Sequence, residues 1–187
     1  MQIGGGVLKA LVSLLPDDLN RFVRELWNEL KTDFGFRSVM LNPLPHISYC
    51  IFEETTVTSD PMLEEIASVM GAFSAKTEYL GIFTGERPVI FIGVAKSPKL
   101  ASLHKSLCKV LCEAVDSKAA VYSETHWIPH ITLAYGDDVN RSNIGPVMER
   151  LAFKDFHHEF VIDNLAVLEE IPEKGIVVSK SFRLTCS

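Results

Sequence analysis

The same five-residue pattern occurs once in each half of this sequence: a proline, a histidine, an apolar residue, a hydroxyl residue and a second apolar residue. The two copies are Pro45-His46-Ile47-Ser48-Tyr49 and Pro129-His130-Ile131-Thr132-Leu133. The β-branched and aromatic residues of each copy predict a strand, His46–Phe52 in the first half and His130–Tyr135 in the second. A fold for this chain must therefore accommodate two similar strands in related places.

Alternation along a strand divides each motif into two faces. Successive side chains of a strand point to opposite sides, so we expect His46 and Ser48 to share one face, and His130 and Thr132 to share the corresponding face of the second strand. The opposite faces are apolar, with Ile47, Tyr49 and Ile51 on one strand and Ile131, Leu133 and Tyr135 on the other. By the same count, Cys50 is expected beside His46, on the floor of a cleft.

The elements around the motif strands repeat in the same order in both halves. A strand from Val7 to Leu15 comes first, and the predicted helices begin at Pro16-Asp17-Asp18, Asp60-Pro61, Ser97-Pro98 and about Asn143, the first ending near Lys31 and the last near Leu151. The predicted hairpins pair Tyr79–Thr84 with Pro88–Val94, and Glu159–Glu169 with Gly175–Leu184. This order predicts an α+β fold of two pseudo-symmetric lobes, each an antiparallel sheet with helices, that face each other across a cleft. We expect one domain over residues 1–187, with an N-terminal lobe of about 1–95 and a C-terminal lobe of about 96–187.

Composition narrows the classes of partner. The formal net charge is −6 and no basic run is present, which argues against binding of long nucleic acid because that depends on neutralising many phosphates. No segment reaches the roughly 20 apolar residues of a membrane span. The four cysteines show no C-x-x-C spacing, which is typical of a reduced, cytoplasmic chain. We expect a monomer that acts on a nucleotide or short RNA and has no membrane partner.

The residue types of the two motifs suit phosphodiester chemistry. One neutral histidine can take a proton from an attacking hydroxyl or water while the other, protonated, gives one to the leaving oxygen. The hydroxyls of Ser48 and Thr132 can donate hydrogen bonds to the phosphate oxygens, where charge accumulates in the transition state. This chemistry requires no metal and no cofactor. His126 and His130 have the spacing of a zinc-binding helical pair, but Pro129 opposes a helix through both.

With these residues identified, the chain resembles the 2H phosphoesterase superfamily, which is named for two His-x-[Ser/Thr]-x motifs and includes 2′-5′ RNA ligase-like proteins and cyclic phosphodiesterases. His46 with Ser48 matches the first motif and His130 with Thr132 the second, Ser48 standing where Thr is commoner. The resemblance implies two pseudo-symmetric α+β lobes with the site between them. It also implies catalysis by His46 and His130 and substrates with 2′,3′-cyclic phosphates or 2′-5′ linkages.

Other residues are weaker candidates, and alternative functions remain open. Trp127 and Phe36 could stack on a base or pack in the core, and Arg87 could approach a phosphate or be a solvated turn residue. His104, among helical leucines, is expected at the surface or boundary. The leading hypothesis is a phosphodiesterase for 2′,3′-cyclic phosphates or 2′-5′ bonds. RNA end ligation by the same groups in reverse, or nucleotide binding without turnover, are the alternatives.

Overall fold

The computed structural model describes residues 8–53, 60–111 and 122–185, which form eight strands and four α-helices. The strands are β1 Leu8–Leu14, β2 His46–Glu53, β3 Phe73–Phe83, β4 Val89–Val94, β5 His130–Ala134, β6 His158–Ile162, β7 Asn164–Ile171 and β8 Gly175–Arg183. The helices are α1 Asp17–Phe34, α2 Asp60–Met70, α3 Pro98–Leu111 and α4 Ile144–Ala152. No helix in this described part of the chain is long and apolar enough to cross a membrane.

Local sequence explains where α1 begins and ends. Pro16 is its N-cap residue, and the carboxylates of Asp17 and Asp18 lie in the first turn, where they interact favourably with the helix dipole. Gly35 ends the helix in the left-handed conformation, with φ of 75°, which glycine adopts without steric cost. The Gly35 N–H donates to the Lys31 carbonyl at 3.0 Å, and this cap places the helix end one turn beyond the predicted one.

The strands form two four-stranded antiparallel sheets. The first sheet has the order β2-β1-β7-β8 and the second β5-β4-β3-β6. The predicted α+β fold with two antiparallel lobes is therefore confirmed. Each motif strand, β2 or β5, lies at the edge of its own sheet.

The sheets do not divide the chain at residue 95 as expected. The first sheet takes β1 and β2 from the beginning of the chain and β7 and β8 from its end, whereas the second sheet lies within residues 73–162. The predicted continuous strand Glu159–Glu169 is also wrong, because it is two strands in different sheets: β6 pairs with β3, and β7 pairs with β1. Asn164 fixes the change of sheet, since its side chain accepts from the Leu14 N–H at 2.9 Å and donates to the Leu14 carbonyl at 3.0 Å.

Helices α1 and α3 each pack against a strand of the sheet whose strands they do not connect. Helix α1 connects two strands of the first sheet but packs against β5 of the second, and α3 connects two strands of the second sheet but packs against β2 of the first. Helix α2 lies beside α3 and against β8. One hydrophobic cluster accordingly includes Leu11 and Ile47 from the first sheet and Ile90 and Ile131 from the second, all with no exposed area.

Each motif strand carries a β-bulge three residues after its histidine. Pairing of β1 with β2 passes from Leu11–Cys50 to Val12–Ser48, which leaves Tyr49 as the extra residue. Pairing of β4 with β5 passes from Ile90–Ala134 to Phe91–Thr132, which leaves Leu133 as the extra residue. A bulge reverses the alternation of side chains beyond it.

Because of the bulges, three residues lie on the opposite strand face from the one predicted. Cys50 is 3% exposed and packs in the core rather than on the cleft floor. Ile51 and Tyr135, expected on the apolar faces, instead line the cavity that contains His46 and His130. The error has one cause, because strict alternation places every residue after an unrecognised bulge on the wrong face.

His104 is not at the surface but 1% exposed, stacked on Trp127 with ring centroids 3.9 Å apart and planes 5° apart. Burial lowers the pKa of His104 to about 4, although hydrogen bonds to the backbone of Tyr49 and Tyr122 oppose this, and the charges of Lys96 and Glu124 act in opposite senses. Its folded-state pKa therefore lies well below the unfolded value of 6.5.

We predict that His104 makes the folded state acid-sensitive. Because the pKa is lowered on folding, the unfolded chain takes up a proton first, and stability present above pH 6.5 is lost as pH falls towards 4. His104→Phe keeps a stacked ring but cannot titrate. When the pH is lowered from about 7 to 4.5, the free energy of unfolding of His104→Phe should fall by about 1–2 kcal/mol less than that of the wild type. Urea unfolding at both pH values measures this, and equal losses in both proteins would contradict it.

Candidate active site

A cavity of about 710 Å³ lies where β2 and β5 face each other. The four motif side chains, His46, Ser48, His130 and Thr132, all line it. The structure therefore brings together, from two sheets, the residues that the sequence singled out in two separate halves. The rest of the lining is largely apolar, and a cavity of this size is within the usual range for small-molecule sites.

Both histidine rings are oriented in the same way by the backbone. The Nδ1 atom of His46 lies 2.6 Å from the Leu44 carbonyl oxygen, and that of His130 lies 2.8 Å from the Ile128 carbonyl oxygen. A carbonyl oxygen can only accept, so Nδ1 must carry the proton in both rings. In the neutral imidazole this leaves the lone pair on Nε2, the nitrogen available to a ligand. The two motifs thus present the same tautomer.

Burial favours the neutral form of both imidazoles. Loss of solvation lowers the pKa of His46, the hydrogen bond to Leu44 opposes the change, and the charge of His130 lowers the pKa further. Burial also lowers the pKa of His130, opposed by its hydrogen bond to Ile128. Since both pKa values are lowered from 6.5, the neutral form of each ring predominates at pH 7 in the absence of a ligand. An anion between them would favour their charged forms.

The two histidines differ in their aromatic neighbours. His130 contacts Phe83 at a ring-centroid distance of 4.9 Å with planes 87° apart, and Phe91 at 5.2 Å. The two phenyl rings stack on each other at 4.2 Å. Phe91 also lies over Gly81, its partner in the β3–β4 ladder, where an added Cβ would come within 2.4 Å of the ring. Gly81 is therefore required for the position of a ring that supports His130.

Of the three weaker candidates for substrate contact, Trp127, Phe36 and Arg87, Trp127 lines the cavity. It is 2% exposed, and its indole N–H is occupied by the Ser48 carbonyl at 2.9 Å. Phe36 and Arg87 are not among the described residues that line the cavity, and both take the alternative position that the sequence left open. Phe36 is 1% exposed in the core, beyond the cap of α1, and Arg87 is exposed and pairs with Asp137 at 3.3 Å.

Several lining residues were not predicted. Ile51 and Tyr135 reach the cavity through the bulges, and Trp27 reaches it from α1, where helical periodicity indicated burial but not which surface it would meet. His126 also lines the cavity, with Nδ1 2.9 Å from the hydroxyl oxygens of Ser123 and Thr125. Within residues 8–53, 60–111 and 122–185, no group of three or more His, Cys, Asp or Glu side chains is arranged to hold a metal ion.

Comparison with known proteins identifies the family of this chain. Residues 15–171 match the profile of the 2′-5′ RNA ligase superfamily. Among curated proteins, a "Putative phosphoesterase" of Bacillus cereus strain AH820 is 26% identical over 147 residues, which cover 75% of this chain and 78% of that protein. A protein of the same name from Bacillus anthracis strain A0248 matches to the same extent.

Solved structures share the fold at low sequence identity. TT0787 of Thermus thermophilus superposes with a TM-score of 0.67 at 19% identity, covering 95% of this chain and 97% of that one. Escherichia coli LigT complexed with 3′-AMP gives 0.64 at 15% identity, covering 97% and 99%. Usb1 of Kluyveromyces marxianus gives 0.55 at 10% identity, also covering 97% and 99%.

We predict that Gly81→Ala disturbs the support of His130. The new methyl group must displace Phe91, and such overpacking costs about 1–3 kcal/mol of the free energy of unfolding. Urea unfolding measures the cost, and NMR of the His130 imidazole reports the displaced ring. Gly145→Ala, in α4 with nothing within 4 Å of the added Cβ, is the matched control and should not reduce stability. A Gly81→Ala variant with the free energy of unfolding and the His130 resonance of the wild type would contradict the role of Gly81 in supporting His130.

Proposed function

This chain belongs to the 2′-5′ RNA ligase superfamily, and we propose that it is a metal-independent phosphodiesterase for 2′,3′-cyclic phosphates or 2′-5′ phosphodiester bonds of nucleotides or short RNA. The observation that carries the proposal is the matched pair of imidazoles. His46 and His130 line one cavity, and a backbone carbonyl two residues earlier occupies Nδ1 of each ring. Two Nε2 atoms then remain for two proton transfers at one phosphate.

The reaction needs one ring as base and one as acid. With a 2′,3′-cyclic phosphate, the neutral imidazole takes a proton from water as the water oxygen bonds to phosphorus. The bond from phosphorus to one ribose oxygen breaks, and the protonated imidazole gives its Nε2 proton to that oxygen. The product is a phosphomonoester beside a ribose hydroxyl. A 2′-5′ bond is cleaved by the same transfers, with a hydroxyl or water as nucleophile.

The hydroxyls of Ser48 and Thr132 have the complementary role. Each lies two residues after its histidine and lines the same cavity. As donors to the non-bridging phosphate oxygens they would stabilise the charge that grows in the transition state. Neither proton transfer nor charge stabilisation in this scheme is assigned to a metal ion.

The rest of the cavity favours a nucleoside as the group attached to the phosphate. Ile51, Phe83, Val89 and Tyr135 provide apolar and aromatic surface beside the motif residues. Aromatic surface suits a base, because base stacking on aromatic rings is favourable for any base. Solved complexes of Escherichia coli LigT, which shares the fold, include 3′-AMP and ATP. The net charge of −6 favours short substrates over long RNA.

We predict that each motif side chain contributes measurably to turnover of 2′,3′-cyclic nucleotides or 2′-5′ dinucleotides in the presence of EDTA. His46→Ala or His130→Ala should lower kcat by about 10²–10⁴-fold, because each removes a proton-transfer group. Ser48→Ala or Thr132→Ala should cost about 10–10³-fold. The double histidine variant should be little worse than the poorer single variant, since both act in one step.

His157→Ala is the matched control, because its ring is exposed and pairs with Asp155 outside the cavity. It should retain wild-type turnover. Near-wild-type turnover in either motif histidine variant would refute the assignment. Nucleotide binding without turnover by the wild type would instead favour a binding module, and joining of RNA ends would favour a ligase. Loss of activity in EDTA with recovery on adding a divalent ion would overturn the metal-independent scheme.

We predict a bell-shaped pH profile with different optima for the two kinetic constants. kcat/KM reports the protein before substrate binds, where the pKa values of both histidines are lowered from 6.5. The base is protonated and loses function as pH falls through its lowered pKa, and the acid loses its proton as pH rises through its own. The kcat/KM optimum lies midway between these two pKa values and should therefore be below pH 6.5. Bound phosphate raises both pKa values, so kcat should be maximal at higher pH. Initial rates from about pH 4.5 to 9 measure this, and coincident or flat profiles would contradict it.

A further inference from the structure

The two tryptophans of the chain bind the two motif strands in a reciprocal arrangement. The Trp127 indole N–H donates to the Ser48 carbonyl at 2.9 Å, and the Trp27 indole N–H donates to the Thr132 carbonyl at 3.0 Å. Ser48 and Thr132 are equivalent residues, each two positions after its histidine. The same backbone atom of each motif therefore accepts a hydrogen bond from a tryptophan.

Each of these hydrogen bonds joins parts of the chain that belong to different sheets. Trp27 lies on α1, the helix that connects β1 and β2 of the first sheet. Its indole N–H nevertheless donates to a carbonyl of β5 in the second sheet. Trp127 lies three residues before β5 of the second sheet, but bonds to β2 of the first. The two bonds therefore cross the boundary between the sheets in opposite directions.

The position of the motif strands explains why these donors matter. β2 and β5 are both edge strands, and an edge strand leaves carbonyl groups without a ladder partner. Buried carbonyl groups need a donor. Trp27 is 5% exposed and Trp127 2%, so each indole also buries an N–H that needs an acceptor. The pairing satisfies both requirements and ties each edge strand to the opposite part of the fold.

Trp127 is itself held on several sides. Its ring stacks on His104 of α3 at 3.9 Å, and the Lys96 ammonium lies 5.6 Å from the ring centroid. The Lys96 ammonium also donates to the Trp127 carbonyl at 3.1 Å. The His104 ring in turn hydrogen-bonds the backbone of Tyr49, the bulge residue next to Ser48. Trp127 is thus held by contacts with His104, Lys96 and the Ser48 carbonyl.

We propose that Trp27 and Trp127 are positioning residues that set the separation of the His46 and His130 imidazoles. Each motif histidine is held through Nδ1 by a carbonyl two residues earlier on its own chain segment, so each ring moves with its strand. A shift of β2 relative to β5 therefore changes the distance between the two Nε2 atoms. Misplacement of reacting groups by about 1 Å can cost about 10²-fold in rate. This inference rests on the proposed function.

The first test replaces each tryptophan with phenylalanine, which keeps an aromatic ring but removes the N–H. Trp27→Phe and Trp127→Phe should each lower kcat by about tenfold while KM rises no more than about threefold, because the apolar part of the cavity still binds the substrate but the imidazoles are misplaced. Each single variant retains one tryptophan, whose fluorescence should remain that of a buried indole.

Tyr49→Phe is the matched control. It removes a buried hydrogen bond, from the Tyr49 hydroxyl to Ser13 Oγ at 2.8 Å, from the same motif strand. That bond stays within the first sheet, where Ser13 also donates to the Asn164 carbonyl. We expect Tm to fall by about 2–4 °C in all three variants, with kcat unchanged in Tyr49→Phe. A tryptophan variant whose kcat stays within about twofold of wild type, or a Tyr49→Phe variant that loses as much kcat, would overturn the proposal.

A second measurement does not depend on turnover. Inorganic phosphate is titrated into the wild type and the Trp27→Phe/Trp127→Phe double variant, and the imidazole resonances of His46 and His130 are followed by NMR. One phosphate should perturb both wild-type histidines with a single Kd, and this Kd should rise about tenfold in the double variant. An unchanged Kd would refute the positioning role and leave the proposed function standing. Phosphate that perturbs neither histidine in the wild type would refute the proposed function and, with it, this inference.

Discussion

The site depends on two edge strands, β2 and β5, that lie against each other without joining into one sheet. If their backbones were hydrogen-bonded as a ladder, the two four-stranded sheets would become one continuous sheet and the space between the histidines would be lost. Indole N–H groups occupy the Ser48 and Thr132 carbonyls, and the bulges at Tyr49 and Leu133 bend each strand. Two edge-strand carbonyls therefore bond to side chains instead of to the facing strand, and the cavity lies between the strands.

Backbone groups, more than charged side chains, organise the two histidines. Carbonyls of Leu44 and Ile128 fix the tautomers, and burial lowers the pKa of both rings, which favours their neutral forms. A preformed positive charge would bind phosphate in the ground state, whereas neutral imidazoles gain charge as the anion enters. Under the proposed mechanism, the net charge of −6 does not prevent binding of a phosphate, because the imidazoles would gain positive charge beside it.

Short-range patterns in the sequence were sufficient for the motif strands, the helices and the pairing of His46 with His130 across one cavity. Apart from the end of α1, which the local cap at Gly35 extends by one turn, the errors in the fold came from interactions between distant residues. Nothing local marks Tyr49 or Leu133 as a bulge, because the extra residue exists only relative to a partner strand. The change of sheet after Ile162 is likewise fixed by Asn164 binding the backbone of Leu14, 150 positions away. The sequence left Phe36 undecided because an aromatic residue near a motif can face either the cavity or the core, and beyond the cap of α1 it lies in the core.

The interleaving of the sheets also determines the order in which the chain can assemble during synthesis. Residues 73–162 contain the whole second sheet, so that sheet can form while the chain is still being made. Strand β1 must wait for β7, which begins at Asn164, before it gains its second neighbour. The sheet that carries His46 is therefore completed last, by two strands, β7 and β8, that contribute no described residue to the cavity lining. Long-range pairing of this kind slows folding, and the first sheet gains its third and fourth strands only after β7 and β8 have been synthesised.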